Sequence, residues 1–179
     1  MNSQIILREA QPEDIEFIFS SWLKSYRGSL LYSKVQSSVY FPEMHKVIEK
    51  LLQNFPVIVA CSSEDSSQIY GWICAGHIDS IFTLHYVYVK HTFRKLGIAK
   101  LLFNSFKHEV GAAGFYTHTS KLAEQLSAKY NMVHNPFLLI NHLSPEVTIT
   151  PAIEQVEVSK EEYKPLEDPN VQVDNDWRD

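Results

Sequence analysis

The sequence has no long apolar run and few cysteines. Because no apolar stretch approaches 18 residues, we expect neither a membrane-spanning helix nor a membrane partner. Cys61 and Cys74 lack the spacing of a disulfide framework or a metal site, and we interpret them as reduced core residues. Residues 1–4 have neither the positive nor the apolar region of a secretory signal. These absences predict a cytoplasmic protein.

Several catalytic motifs are also missing. The chain has no Gly-x-Ser-x-Gly elbow and no Walker-type Gly-Lys-Ser/Thr, which excludes the common hydrolases and nucleotide-hydrolysing enzymes. Its eight histidines show no His-Glu-x-x-His spacing, so no metal site is expected. A chain of 179 residues with 45% hydrophobic residues is long enough for one domain and a tail.

Charge is distributed unevenly along the chain. Residues 141–179 carry ten acidic and three basic side chains, whereas residues 1–140 carry 11 acidic and 13 basic ones. A slightly positive body suits an anionic cofactor but is too weakly charged for duplex nucleic acid. We interpret residues 151–179 as an extended or partly disordered acidic tail. Two roles stay open for this tail, a partner-binding or autoinhibitory segment and a plain solvated terminus.

Hydrophobic periodicity predicts the order β-α-α-β-β-β-α-β-α-β. The first helix covers 11–27 and ends at Gly28, and a loop on the substrate side covers 29–43. The later helices are predicted at 43–54, 97–110 and 120–130, the last opening on a Ser120 cap. The strands are predicted at 5–8, 56–61, 69–78, 82–89, 115–119 and 137–140, with an optional last strand at 147–150.

The junction after the strand at 82–89 is the most informative feature. There a strand turns directly into a helix through the sequence Arg94-x-x-Gly97-x-Ala99. Such a junction leaves backbone N–H groups unpaired at the positive end of a helix, where they favour a pyrophosphate. Arg94 and Lys95 add positive charge, and Gly97 lets the backbone approach a ligand closely. The junction predicts an enzyme that uses a phosphate-bearing cofactor.

This segment resembles the signature of the GNAT N-acetyltransferase superfamily. Val89 takes the place of the family's strand-ending Val, and Arg94, Gly97 and Ala99 take its three defining positions. The resemblance implies an α/β (α+β) fold over residues 1–140, or to 150, with a mixed sheet of six or seven strands, about four flanking helices and splayed central strands. It also implies acetyl-coenzyme A as the cofactor. The implied cofactor-binding residues are Tyr88, Val89, Arg94, Lys95, Leu96, Gly97, Ile98, Ala99, Lys100 and Ser120.

The resemblance also implies a general base on the strand at 82–89. His85 is the titratable residue at a matching position, and its ordinary pKa of about 6.5 suits the role. The alternative is a core histidine held by a neighbouring carbonyl. Strict alternation places Thr83, His85, Val87 and Val89 on one face, and Phe82, Leu84, Tyr86 and Tyr88 on the other.

The general acid is less clear from the sequence. Ser127 stands where the family often has a catalytic Tyr. Tyr130, three residues later, is the candidate acid, with packing as the alternative role. Trp22, Tyr26 and Arg27 are the candidate substrate-binding residues, because they end the first helix beside the acceptor loop. Arg27 either recognises an anionic substrate group or covers the helix end.

The resulting prediction is transfer of an acetyl group from acetyl-coenzyme A to a primary amine, by direct attack in a ternary complex. The acceptor is a small molecule or a peptide, and the protein is a monomer or a homodimer. One alternative is a weak or inactive binding module that acts through its acidic tail. Another is a relative that modifies a non-amine acceptor such as a nucleobase.

Overall fold

The sheet is mixed and contains six strands. The computed structural model describes residues 4–29, 32–106 and 112–143. The strands lie side by side in chain order, antiparallel from the first to the fourth and parallel from the fourth to the sixth. This arrangement confirms the predicted α/β fold class. The strands are β1 Ile5–Glu9, β2 Val57–Ser62, β3 Ile69–Ile78, β4 Ile81–Val89, β5 Gly114–Tyr116 and β6 Met132–His134.

Helices cover both faces of the sheet. One core cluster joins a sheet face to the two helices at 15–27 and 37–54, and a second joins the opposite face to the helices at 98–104 and 121–130. Because both faces are buried, the central strands β2 to β4 consist mostly of buried residues. The helices of the described residues are α1 Ile15–Arg27, α2 Ser37–Asn54, α3 Ile98–Asn104, α4 Lys121–Tyr130 and α5 Phe137–Leu143.

The second helix begins earlier than the sequence analysis predicted. The predicted start was residue 43, but α2 begins at Ser37 and Pro42 lies inside it. The reason is Tyr40, which is buried and donates its hydroxyl hydrogen to the Leu23 carbonyl at 2.9 Å. Tyr40 continues the apolar face of the helix, and its burial stabilises the added turn against the backbone bond lost at Pro42.

The predicted strand at 137–140 is wrong, because these residues form α5. A short apolar run fits a strand and a helix equally well, and here Pro136 precedes the first helical turn, where proline is favoured. The last strand of the sheet is β6 instead. Asn131 ends α4 with a left-handed φ of 51°, a conformation that Asn tolerates, and the chain then runs directly into β6.

Several predictions fall partly or wholly outside the described residues. The helix predicted at 97–110 is described as α3 up to Asn104, and residues 107–110 lie outside. The optional strand at 147–150 and the acidic tail at 151–179 also lie outside, so the domain boundary stays a prediction. Among the described residues, no helix combines the length and apolar character that crossing a membrane requires.

Candidate active site at the separation of β4 and β5

The turn between β4 and α3 exposes a row of backbone N–H groups. Arg94 N–H donates to the His91 carbonyl, and Leu101 N–H donates to the Gly97 carbonyl. Between them, the six N–H groups from Lys95 to Lys100 have no acceptor among the described residues, and no side chain caps the helix. Consecutive free N–H groups form a concave surface with a partial positive charge, and such a surface favours binding of an anion.

The backbone of this turn also keeps space for a ligand. Gly97 has a φ of 78°, and a Cβ built on it would meet no atom of the described residues within 4 Å, its chain neighbours aside. Glycine is therefore required by the left-handed backbone and not by crowding. Lys95 also has a left-handed φ, of 68°. The space above the turn is open, and the exposed Arg94 and Lys100 side chains add positive charge beside it.

Strands β4 and β5 separate just before this turn. Their pairing covers only Phe82–Leu84 of β4, and the Thr117 N–H still donates to the Leu84 carbonyl at 3.0 Å. Beyond that bond, residues 86–89 pair with β3 alone among the described strands. A wedge therefore opens between β4 and β5, in agreement with the splayed strands that the family resemblance implies.

Backbone groups of β4 point into the wedge. The Lys90 N–H donates to the Tyr70 carbonyl at 2.8 Å, which places the hydrogen-bonded pairs with β3 at Lys90, Tyr88 and Tyr86. The backbone groups of Val87 and Val89 consequently point away from β3, toward the separated side. Arg94 Nε also donates to the Val89 carbonyl, at 3.3 Å, and so joins the turn to the strand.

A β-bulge places His85 beside the point of separation. Cys74 pairs with Tyr86 and Ala75 pairs with Leu84, so His85 is the extra residue on β4. The predicted strict alternation is therefore wrong. Phe82, Leu84, Val87 and Val89 share the face of α3 and α4, whereas Tyr86 and Tyr88 lie on the face of α1 and α2.

His85 is buried and contacts two neighbours closely. Only 2% of its surface is exposed, and its ring centroid lies 4.1 Å from that of Phe55. Its Nδ1 lies 3.1 Å from Thr117 Oγ1, and the same hydroxyl lies 2.9 Å from His118 Nδ1. The end of β5 thus brings a second histidine to the candidate base. Sequence reasoning gave no role to Thr117 or His118, because no spacing motif connects them to His85.

His118 lies in an aromatic pocket. The ring centroids of Trp22, Tyr26 and Tyr86 lie 5.5, 4.7 and 6.1 Å from its own. Burial, followed by the nearby His85 and His134, lowers the pKa of His118 to about 3. His118 is therefore neutral at physiological pH.

The predicted substrate residues lie together at the end of α1. Trp22 is fully buried and stacks on Tyr86 at 5.1 Å, and Tyr26 is also buried, which raises the pKa of its hydroxyl. The Arg27 guanidinium donates to the carbonyls of Tyr32 and Val35. Arg27 therefore holds the loop before α2, a role that neither sequence interpretation included.

Two other predicted residues have packing or capping contacts. Tyr130 stacks on Phe103 at 4.2 Å, and its hydroxyl donates to Asn104 Oδ1 at 3.2 Å between α3 and α4. Ser120 caps α4 by accepting the Ala123 N–H at 3.1 Å, as the sequence predicted. The described contacts of Tyr130 thus hold two helices together.

Tyr88 differs from the other predicted cofactor residues. Its backbone belongs to the hydrogen-bonded pairs with β3, and its ring packs on Trp72 and Phe17 at 6.1 Å each. Val87 is a further residue of β4 whose backbone groups point into the wedge. The other predicted residues, Val89 and 94–100, form the turn itself.

Two grooves lie away from the predicted site. One of about 810 Å³ runs between α1 and α2 and is lined by Ile15, Phe19 and Leu52, among others. The other, of about 280 Å³, is lined by residues that include Phe55, His77 and Asp79. Neither includes a predicted site residue. Among the described residues, no three His, Cys, Asp or Glu side chains are grouped closely enough to hold a metal ion.

Comparison with known proteins shows similarity to solved structures alone. No family model and no curated protein matches the sequence. Similar structures include a GNAT-family acetyltransferase from Staphylococcus aureus Mu50, with 18% identity, 57% of this chain and 63% of that chain covered, and a TM-score of 0.41. Another is an N-acetyltransferase from Thermoplasma acidophilum in complex with coenzyme A, with 20% identity, coverage of 58% and 70%, and a TM-score of 0.41.

A third structure is a possible acetyltransferase from Clostridium difficile 630, with 20% identity, coverage of 69% and 84%, and a TM-score of 0.46. The chain spans 12% of a fungal multidomain β-N-acetylglucosaminidase that contains a glucosamine N-acetyltransferase region. It spans 63% of YjaB from Escherichia coli. Identities and TM-scores this low do not identify an activity for this chain.

Proposed function

We propose that this protein is an acetyl-coenzyme A dependent N-acetyltransferase of the GNAT type. The observation that carries the proposal is the row of six acceptor-free N–H groups from Lys95 to Lys100, directly after a strand whose edge is open. The first feature suits a diphosphate, and the second suits an extended chain that hydrogen-bonds to Val87 and Val89. Coenzyme A combines both groups in one molecule.

The residues at the turn fit this ligand. Its diphosphate would be held by the N–H groups of residues 95–100, with Arg94 and Lys100 supplying charge. A Cβ built on Gly97 would meet no atom of the described residues within 4 Å, its chain neighbours aside, so there is space beside this point of the turn. When bound, acetyl-coenzyme A supplies an acetyl thioester. The open edge of β4 would align that thioester in the wedge, close to His85.

The reaction is a direct transfer to an amine. The amine nitrogen forms a bond to the acetyl carbon, the carbon–sulfur bond breaks, and the sulfur leaves as a thiolate that takes a proton from water. The proton lost by the amine goes to His85, directly or through one water. Cys74 is fully buried and its burial raises the pKa of the thiol, so an acetyl-cysteine intermediate is disfavoured.

The acceptor is proposed to be a primary amine on a small molecule or a peptide. Trp22 and Tyr26 belong to the aromatic cluster on the His85 side of the sheet. They are buried in the described structure, so their part in substrate binding is to shape the floor of the acceptor site. Arg27 would contribute indirectly, through the loop that it holds.

Calorimetry with coenzyme A and acetyl-coenzyme A tests the cofactor site. We expect binding by the wild type, and at least a tenfold weaker affinity for Arg94→Glu, since a repulsive charge replaces an attractive one beside the diphosphate. Lys24→Glu is the matched control, because Lys24 is exposed on α1 and the charge change is the same. Absence of binding by the wild type would refute the proposal.

Thiol release across a panel of amines tests the transfer itself. We expect release that depends on the amine and falls by about 100-fold or more in His85→Ala, the usual contribution of a general base. Binding of acetyl-coenzyme A without release for any amine would contradict an enzymatic role and favour a binding module.

A further inference from the structure

We propose that Thr117 and His118 are positioning residues that fix the tautomer of His85, so that its Nε2 accepts the proton from the amine. This inference rests on the proposed function, in which His85 is the base. It concerns a different property, namely which ring nitrogen of His85 carries the hydrogen, and that property is measurable without turnover.

The first step is the hydroxyl that joins the two rings. Thr117 Oγ1 lies 3.1 Å from His85 Nδ1 and 2.9 Å from His118 Nδ1, and all three residues are only 2% exposed. A hydroxyl has one hydrogen and two lone pairs, so it donates to at most one of these nitrogens. At least one Nδ1 therefore carries a hydrogen that it donates to Thr117 Oγ1, and the other contact of the His118 ring decides which one.

The second step is the direction of the chain of hydrogen bonds. The His85 backbone also raises the pKa of His118, which is the effect of a carbonyl that accepts from the His118 ring, and we therefore take this carbonyl as the ring's second partner. His118 is neutral and has a single N–H, and its Nδ1 faces Thr117, so the donor is Nε2. His118 Nδ1 is then bare and accepts from the Thr117 hydroxyl.

The third step follows for His85. Since the Thr117 hydrogen is used toward His118, the hydroxyl oxygen accepts from His85 Nδ1–H. A neutral His85 with a hydrogen on Nδ1 has its lone pair on Nε2, which is the form that accepts a proton there. The hydrogen bonds therefore run in one direction, from His85 Nδ1–H to the Thr117 hydroxyl, from that hydroxyl to His118 Nδ1, and from His118 Nε2–H to the His85 carbonyl.

The surrounding hydroxyls do not compete for these positions. The Tyr86 hydroxyl is hydrogen-bonded to Ser25 Oγ at 2.9 Å, and the Thr119 side chain, facing the Tyr26 hydroxyl, lowers the pKa of Tyr26 against the larger effect of burial. His134, which also faces His118, stacks on Tyr116 at 5.0 Å. Thr117 is therefore the hydroxyl that connects the two histidines.

Long-range ¹H–¹⁵N NMR of the full-length protein with ¹⁵N-labelled histidine tests the inference directly, because the chemical shifts of the two ring nitrogens distinguish the two tautomers. His85→Gln and His118→Asn assign the signals. We expect His85 protonated at Nδ1 and His118 protonated at Nε2. A His85 with its hydrogen on Nε2, or with both tautomers equally populated, would overturn the inference whether or not the protein binds coenzyme A.

Two substitutions at Thr117 then test the effect on catalysis. Thr117→Val keeps the shape and removes the hydroxyl, whereas Thr117→Ser keeps the hydroxyl. We expect Thr117→Val to lose the fixed tautomer and to lower kcat about tenfold, the factor for one lost hydrogen bond, with coenzyme A affinity unchanged by calorimetry. Thr117→Ser should retain the wild-type tautomer and kcat.

The results separate this inference from the proposed function. Wild-type kcat and tautomer in Thr117→Val would overturn the positioning role, while leaving the acetyltransferase proposal intact. Conversely, a wild type with the expected tautomers but no coenzyme A binding would refute the acetyltransferase proposal alone. Should Thr117→Val fail to fold, the wild-type spectrum and the Thr117→Ser variant still decide the outcome.

Discussion

The buried, neutral His118 should make the protein less stable as the pH falls from 7 to 5, because the unfolded chain gains a proton there that the folded protein does not bind. Burial and the neighbouring His85 and His134 lower its pKa to about 3, whereas an unfolded chain has a histidine pKa of about 6.5. Below pH 6.5 the unfolded state therefore binds a proton that the folded state does not. The contribution of His118 to stability is complete above pH 6.5 and is lost progressively as the pH falls toward 3.

The magnitude follows from the difference between the two pKa values. Each pH unit inside this window costs about 1.4 kcal/mol, so the free energy of unfolding should fall by about 2 kcal/mol between pH 6.5 and pH 5. With a typical urea dependence of about 2 kcal/mol per molar, the unfolding midpoint should move by about 1 M. Urea titrations followed by tryptophan fluorescence measure this shift, since Trp22 contacts His118.

A variant without the imidazole separates His118 from the other titrating groups. His118→Asn should be less stable at pH 7 because the buried pocket is refilled poorly, but its midpoint should change less with pH. His91→Asn is the control, because His91 is exposed and should keep the wild-type pH dependence. An unchanged pH dependence in His118→Asn would refute the assignment of the effect to this residue.

Three further substitutions test the turn and the α3–α4 interface. Gly97→Ala should lower the free energy of unfolding by about 1–2 kcal/mol, because alanine is strained at this left-handed φ. It should also weaken coenzyme A binding, measured by calorimetry, since the added methyl group would lie in the open space above the turn. Lys95→Gly should raise the urea midpoint, because the same strain at φ 68° is relieved, and an unchanged midpoint would contradict that reasoning. Tyr130→Phe should lower the free energy of unfolding by about 1 kcal/mol, because the hydrogen bond to Asn104 is lost, while thiol release stays at the wild-type rate. A large fall in thiol release would instead support Tyr130 as the general acid.

The sequence predicted the elements whose pattern is local. Regular spacing of apolar residues located α1, and continuous apolar runs located β2, β3 and β4, because burial of a helix or strand face imposes that spacing. The sequence also singled out Gly97, because glycine lets the backbone of a turn approach a ligand closely, although its left-handed φ was seen only in the structure. The cap of α4 by Ser120 was found for the same reason: its partner, Ala123, is three residues away.

Elements that depend on distant partners were not predictable in this way. Residues 137–140 satisfy the pattern of a strand, but the place in the sheet next to β5 is taken by β6, whose Met132 pairs with Gly114. The bulge at His85 depends on the register between β3 and β4, which no residue of β4 encodes alone. A single inserted position then moves the following side chains to the opposite face of the sheet.

One part of the candidate site was also predictable from local sequence, and the other part depended on distant residues. The sequence by itself determined the turn proposed to bind a diphosphate, because its glycine, its charge and its strand–helix junction are consecutive in the chain. Only the tertiary structure brought Thr117 and His118 to His85, through a parallel pairing of β4 and β5 across 32 residues. Hydrogen bonds between residues so far apart in sequence depend on the position at which β4 and β5 separate. That position is set by the pairing of the whole sheet and not by the sequence of either strand.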